Sequence, residues 1–328
     1  MFKPYSIEPY NGFMWLGLLF AISACFLWGW IFVIPSFLSD FSGLEVVLGR
    51  YFVYGLISAI LFFKGGLNKA RQISKMIWIK ALTFAFFSNI IYYLGIIIGL
   101  RFASPSLTIL IASMSPVAVA LYGNWYAREI VFTSMIFPVL CILSGLIIVN
   151  IAEIDWTFSS NSLEGYLLGF FAAVISLLAW SWYAVHNARF LKRNPHIDVT
   201  EWTSIIGIAT LFWACLTTIF FAFIIEKEID ISRFIHFSQE TMRFTIAALI
   251  LGGICSWLPC YLWNRASLYL PVSLMGPFLI FESIFGILLV FSFESHLPSL
   301  LEVFGMSTML GGIILSIIAF RKQLNKKA

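Results

Sequence analysis

The chain has 328 residues, of which 61% are hydrophobic, 18% aromatic and only 11% charged, with a mean hydropathy of +0.94 and a net charge of +4. A soluble domain carries about 25% charge, so these values exclude a soluble globule. The positive balance follows from where Lys and Arg fall between apolar runs, and nothing in it points to nucleic acid.

A bilayer core about 30 Å thick takes roughly 20 apolar residues per helix. Ten such runs are expected to be spans, at 13–35, 44–63, 77–99, 105–126, 132–151, 165–186, 203–225, 244–264, 271–293 and 300–320. The expected class is an all-α polytopic membrane protein whose partner is the lipid bilayer. The first run is too long for a signal-peptide core and lacks a small-residue cleavage site, so it reads as an uncleaved span.

Within that first run, FLWGWIFV at 26–33 returns as LAWSWYAV at 178–185 in the sixth. At an offset of 152, Leu16, Gly17, Ala21, Trp28, Trp30 and Val33 meet Leu168, Gly169, Ala173, Trp180, Trp182 and Val185. Each repeat then holds five spans. An odd number sends the second repeat in from the opposite membrane face, giving an inverted pair of five-helix units. The expected organisation is residues 1–151, a polar linker over 152–164, and residues 165–328 ending in a short basic tail.

Gly17, Ala21, Ala24 and Trp28 share one helical face, as do Gly169, Ala173, Ser176 and Trp180. Such stripes serve close helix packing. Alternatively, Trp28, roughly 6 Å past the middle of its span, and Trp180 close a central cavity from the outer and the cytoplasmic end. Trp30 and Trp182 point elsewhere and stay open between lipid, packing and cavity.

The second run holds Arg50, about 10 Å from its outer end. It either snorkels to pair with Glu45 or Asp40, or faces a site within the bundle. The third run offers Ser88, Asn89, Tyr92 and Tyr93, together with a GxxxG at Gly95 and Gly99. That motif, like the one at Gly165 and Gly169, is expected to serve internal packing, with oligomeric state left open. In the fourth run Pro105 precedes Ser106 and Leu107, Ser113 and Ser115 are polar, and Pro116 interrupts. Pro138 is placed to do the same in the fifth.

Pro259 interrupts the eighth run, where Trp257 and Tyr261 add polar atoms. In the ninth, Pro271 precedes Ser273 and Leu274, echoing run four at an offset of 167, and Pro277 interrupts. Glu282 lies near its middle with no basic residue in the same run. Either it is protonated, or it faces a wet cavity and meets Arg50 or a substrate. Broken backbone at this depth is tolerated where it lines a cavity. The five cysteines lie inside runs without a CxxC pair and are expected to pack as small hydrophobes.

With the N-terminus inside, fifteen Lys and Arg fall on the cytoplasmic side, against Arg101, Lys227, Arg233 and Arg243 outside. Both termini are therefore expected in the cytoplasm and the protein in an inner membrane. No His pair has metal-ligand spacing, and no P-loop, GxSxG or HExxH occurs, so no cofactor, metal or catalytic residue is expected.

GLLFAISACFLWGW, LEVVLGRYF, the five-plus-five repeat, and Pro116 followed by Glu129 together resemble the EamA-type members of the drug/metabolite transporter superfamily. The resemblance covers nearly the whole chain. The Leu-Glu pair before Arg50 is closest to the RarD-like branch. Departures are Phe281-Glu282-Ser283, without the usual proline after Glu, and Arg128-Glu129 and Ser292-Phe293-Glu294 where the family closes with Gly-Glu.

The resemblance implies a secondary transporter, frequently an exporter, for small organic solutes such as amino acids, with a cavity formed by both halves. A passive channel or lipid flippase of the same fold is the alternative. Beside it, the residues themselves offer one cation, one anion and aromatic faces, suited to a zwitterionic or aromatic solute and to a coupling proton. The candidate substrate-binding set is Trp28, Arg50, Asn89, Tyr93, Ser113, Trp180, Trp257, Tyr261 and Glu282.

Overall fold

The computed structural model describes residues 10–64, 73–151, 163–223, 229, 232–235, 238–294 and 297–327. The expected linker lies outside these apart from Leu163 and Glu164, as do the acidic loop residues Glu153, Asp155, Glu226, Glu228 and Asp230.

Ten helices are long and apolar enough to cross a membrane, and no strand occurs among the described residues. Spans one to ten run Met14–Leu38, Gly43–Phe63, Lys75–Phe102, Leu107–Ala127, Phe132–Val149, Leu163–Arg193, Val199–Phe221, Gln239–Tyr269, Val272–Phe293 and Leu300–Gln323. Successive helix ends fall at alternate ends of the bundle: among the described residues Lys64, Lys75, Arg128, Lys192, Arg193, Arg321 and Lys322 mark one as the basic end, and Asp40, Glu164 and Glu240 mark the other as the acidic end.

The span limits depart from the sequence reading where polar residues extend a helix past the lipid core. Span six reaches Arg193, seven residues beyond the expected 186. There the Lys192 ammonium donates to the Leu270 carbonyl. Span one is α-helical only to Gly29 and continues in 3₁₀ turns at Trp30–Phe32 and Ile34–Leu38, because Pro35 offers no N–H to an α ladder.

Span four breaks at Met114, just before Pro116, as expected. Pro277 and Pro138, by contrast, sit inside the continuous helices Val272–Glu294 and Phe132–Ile151, so neither interrupts its span. Neighbouring helices in a bundle accommodate proline without a break.

Helix pairing carries the signature of the repeat. Spans two and seven, four and nine, and five and ten pack directly on their own counterparts. Span one packs on eight as six packs on three, and one on nine as six on four. Exchanging each span for the one five later preserves these pairings.

Two glycines make the same point at atomic scale. A Cβ on Gly17 would meet the Cβ of Tyr269 and Cγ of Leu270 at 2.8 Å, and one on Gly169 would meet Ala103 at 2.3 Å and the Phe102 carbonyl carbon at 2.9 Å. The glycines are 152 apart and the residues they touch are 167 apart, the two offsets read from the sequence. Gly95 and Gly99 likewise press on Ala172, Ser176, Ala173 and Thr108, so this GxxxG serves internal packing.

Four apolar clusters fill the bundle. Cys25 and Cys255 are buried as expected, and Cys141 and Cys260 partly so; Cys215 instead lies exposed on the bundle surface.

Candidate functional site

Spans three and eight each contain a π-helical turn, at Phe86–Ile91 and Ile250–Trp257. Shifting the first by 167 superimposes it largely on the second, so the repeat carries the same defect twice. Single π turns tend to mark functional sites, because the widened turn frees a carbonyl and re-aims the side chains beside it. In span eight the freed Leu251 carbonyl accepts the Ser256 hydroxyl at 2.7 Å.

Arg50 ties the second turn to the helix just past the first. Its Nε donates to Ser256 Oγ at 2.6 Å and Nη1 to the Tyr93 hydroxyl at 2.7 Å, while its carbon stands 5.8 and 5.9 Å from the Tyr51 and Tyr93 ring centroids. The guanidinium therefore points into the bundle. Glu45 instead completes a capping box with Ser42, and Asp40 pairs with Arg243 at 3.0 Å, so neither acidic residue is the partner of Arg50. Span eight comes close enough for this because Gly252 lies against Val53 and the Arg50 carbonyl.

Glu282 of span nine is part-exposed although it sits mid-span. Among the described residues it makes no side-chain hydrogen bond and no ion pair; Arg50 is the opposite charge acting on it. It also acts on Tyr92, Cys25 and Cys260. The site thus sets a tethered cation and an unbonded carboxyl within electrostatic reach and without contact. A carboxyl at this depth costs several kcal/mol unless it meets water, a proton or a partner.

Trp257 stacks on Tyr261 with centroids 5.6 Å apart and planes 4° from parallel, its Nε1 buried without a hydrogen-bond partner among the described residues. Asn89 donates to Thr210 Oγ1 at 2.9 Å and so ties span three to span seven. Ser113 turns its hydroxyl back to the Leu110 carbonyl at the break in span four.

Trp28 is 8% exposed, packs on Trp263 at 5.5 Å, and shares one apolar cluster with Trp180. Trp30 and Trp182 are packing residues: the first meets Phe293 at 5.7 Å, the second Phe87 and His186 at 4.8 and 4.6 Å.

Ser256, Tyr51, Tyr54 and Cys260 escaped the sequence reading. Tyr51 and Tyr54 stand in the same VLGRYFVYG stretch as Arg50, and Tyr54 lies one turn along its helix face, a spacing that could have nominated it. Ser256 and Cys260 carry no such signal, since only the π turn brings them to Arg50.

A polar cluster of another kind occupies the position related to Arg50 by 152, which is Trp202. Its Nε1 donates to Asn187 Oδ1 at 2.8 Å, Asn187 donates to Asn264 at 2.7 Å, and Asn264 to Thr203 at 2.9 Å. All four side chains are buried and bonded to one another, so this counterpart is a neutral structural lock.

Comparison with known proteins agrees with this architecture. Residues 15–151 match the EamA-like transporter family. The chain is 27% identical over 308 residues to the inner membrane protein YtfF of Escherichia coli (strain K12), covering 92% of this chain and 95% of that one. It also superposes on a protein crystal structure with a TM-score of 0.73 at 17% identity, covering 94% of this chain and 98% of the other, a likeness of fold.

Proposed function

Starting from an EamA-like transporter domain over residues 15–151, we propose that the protein is a secondary active transporter of small organic metabolites, amino acids or related zwitterionic or aromatic solutes among them. It works by alternating access around the Arg50–Glu282 site. Export is the direction the family resemblance suggests, with the basic end and both termini in the cytoplasm.

The observation that carries this reading is the pair of opposite charges at membrane depth that do not touch. Arg50 is immobilised by Ser256 and Tyr93 and presents a fixed cation to a carboxylate. Because the Tyr93 hydroxyl already accepts from Arg50, its own hydrogen remains to donate to the same anion. Glu282, unbonded, either meets the substrate's ammonium group or carries the coupling proton. A zwitterion between them neutralises both charges at once, which neither a chloride nor an amine does alone. The Trp257–Tyr261 stack supplies a flat apolar wall.

Glu282→Gln keeps the size of the side chain and removes its charge and its proton. In proteoliposomes it is expected to abolish substrate-driven proton movement and concentrative uptake while the purified protein remains monodisperse. Wild-type flux with an unchanged pH dependence in this variant overturns the reading.

A further inference from the structure

At the basic end one carboxylate from the first half closes over the second. Glu129 accepts from the backbone N–H of Val272 at 3.2 Å and of Ser273 at 2.9 Å, and from the Ser273 hydroxyl at 2.7 Å. It thereby caps the start of span nine, whose helix begins at Val272. Lys192 of span six donates to the Leu270 carbonyl one turn away and has Glu129 as its opposite charge.

The carboxylate is built into place. Arg128, the one non-glycine residue with positive φ among the described residues, turns the chain at φ 53° directly before Glu129. Buried Asn124 holds the other side of the turn, donating to the Ile130 carbonyl and accepting from the Ile130 N–H, both at 2.9 Å. A backbone held in this sparsely populated region persists only where its surroundings fix it.

The segment that Glu129 caps is also the most enclosed in the bundle, with every residue from 271 to 280 buried. Trp28, Trp263 and Leu270 belong to the cluster packed around it. Spans four, six, eight and nine thus meet at one point, and that point joins the two halves.

We infer that Glu129 is the latch of the basic-end gate: its hydrogen bonds to Val272 and Ser273 hold that end closed, and they separate each time the site opens there. The inference rests on the alternating-access reading above. It assigns to Glu129 a positioning role without substrate contact.

Hydrogen exchange of the full-length protein in nanodiscs, without substrate, tests it. Glu129→Gln weakens a charge-assisted cap, so peptides covering 270–280 are expected to exchange at least about tenfold faster. Peptides covering 104–113 at the other end are expected to slow, because the two ends alternate. Glu129→Asp, which keeps the charge on a shorter arm, is expected to fall between. Faster exchange at 270–280 with unchanged or faster exchange at 104–113 marks a merely structural cap and overturns the latch.

A second measurement covers the case of a variant that does not fold. In a background lacking the native cysteines, Glu129→Cys with Ser273→Cys is cross-linked by oxidant in liposomes. Counterflow is expected to stop and to return with reductant; flux that persists through complete cross-linking overturns the latch. Wild-type protein with no saturable flux at all removes the transporter premise instead, a result readable separately from both.

Discussion

Residues 105–113 of span four and 272–280 of span nine are related by the offset of 167, and both carry Ser-Leu at their second and third positions, just after Pro105 and close behind Pro271. In span nine all nine residues are buried. In span four Ile109 is 51% exposed, Leu107, Leu110, Ala112 and Ser113 are partly so, and only Thr108 and Ile111 are buried among the residues whose side chains are described. The caps differ in the same sense. Span nine is capped across the repeat boundary by Glu129, whereas span four is capped by its own Ser104, which accepts from the Leu107 N–H at 3.2 Å.

Related sequence in related places therefore ends in unlike surroundings. What differs is the contribution of the other half: at the basic end it supplies a carboxylate and a tight apolar wall, at the acidic end less of either. A pseudo-symmetric bundle that closes one end more than the other has the unequal ends that the proposed alternating-access mechanism requires.

Substitutions at paired positions sharpen the contrast. The largest effect is expected at Gly276, where a Cβ would meet the Ala120 nitrogen at 2.3 Å and the Pro116 carbonyl oxygen at 2.5 Å, both backbone atoms that cannot rotate away. Gly276→Val is expected to cost at least about 3 kcal/mol, seen as loss of monodisperse protein or a collapsed thermal transition in detergent. A variant as stable as the parent removes the tight contact between spans four and nine.

The caps come next. Ser273→Ala removes a bond to a charged group and is expected to cost about 2 kcal/mol, while Ser104→Ala removes an ordinary N-cap worth about 1 kcal/mol. Thermal shifts in the reverse order break the comparison. Smallest is Ile109→Ala, on the exposed face of span four at the position matching Gly276, with an expected change within about 0.5 kcal/mol by the same measurement.

Fold was largely legible because bilayer thickness and the cost of buried charge act on composition directly. The ten spans, the offsets of 152 and 167 and the in-membrane charges Arg50 and Glu282 all follow from that. Site geometry was less so. The partners of Arg50 depend on π turns; FFSNII has nothing in its propensities that distinguishes it from α-helix, and the Gly252-Gly253 pair of ILGGICSW marks a weak helix without specifying a π turn.

Glu129 was visible as half of a family pair, but its partners lie 143 and 144 residues away and only packing brings them together.

The paired π turns also govern how spans three and eight are to be probed. An extra residue in one turn offsets everything beyond it by about 100° around the helix axis. Accessibility scanned residue by residue will follow one 3.6-residue wave up to Ala85 and another, out of phase, from Tyr92, with the same break between Leu249 and Leu258. A single helical wheel drawn through either span would assign half of its residues to the wrong face.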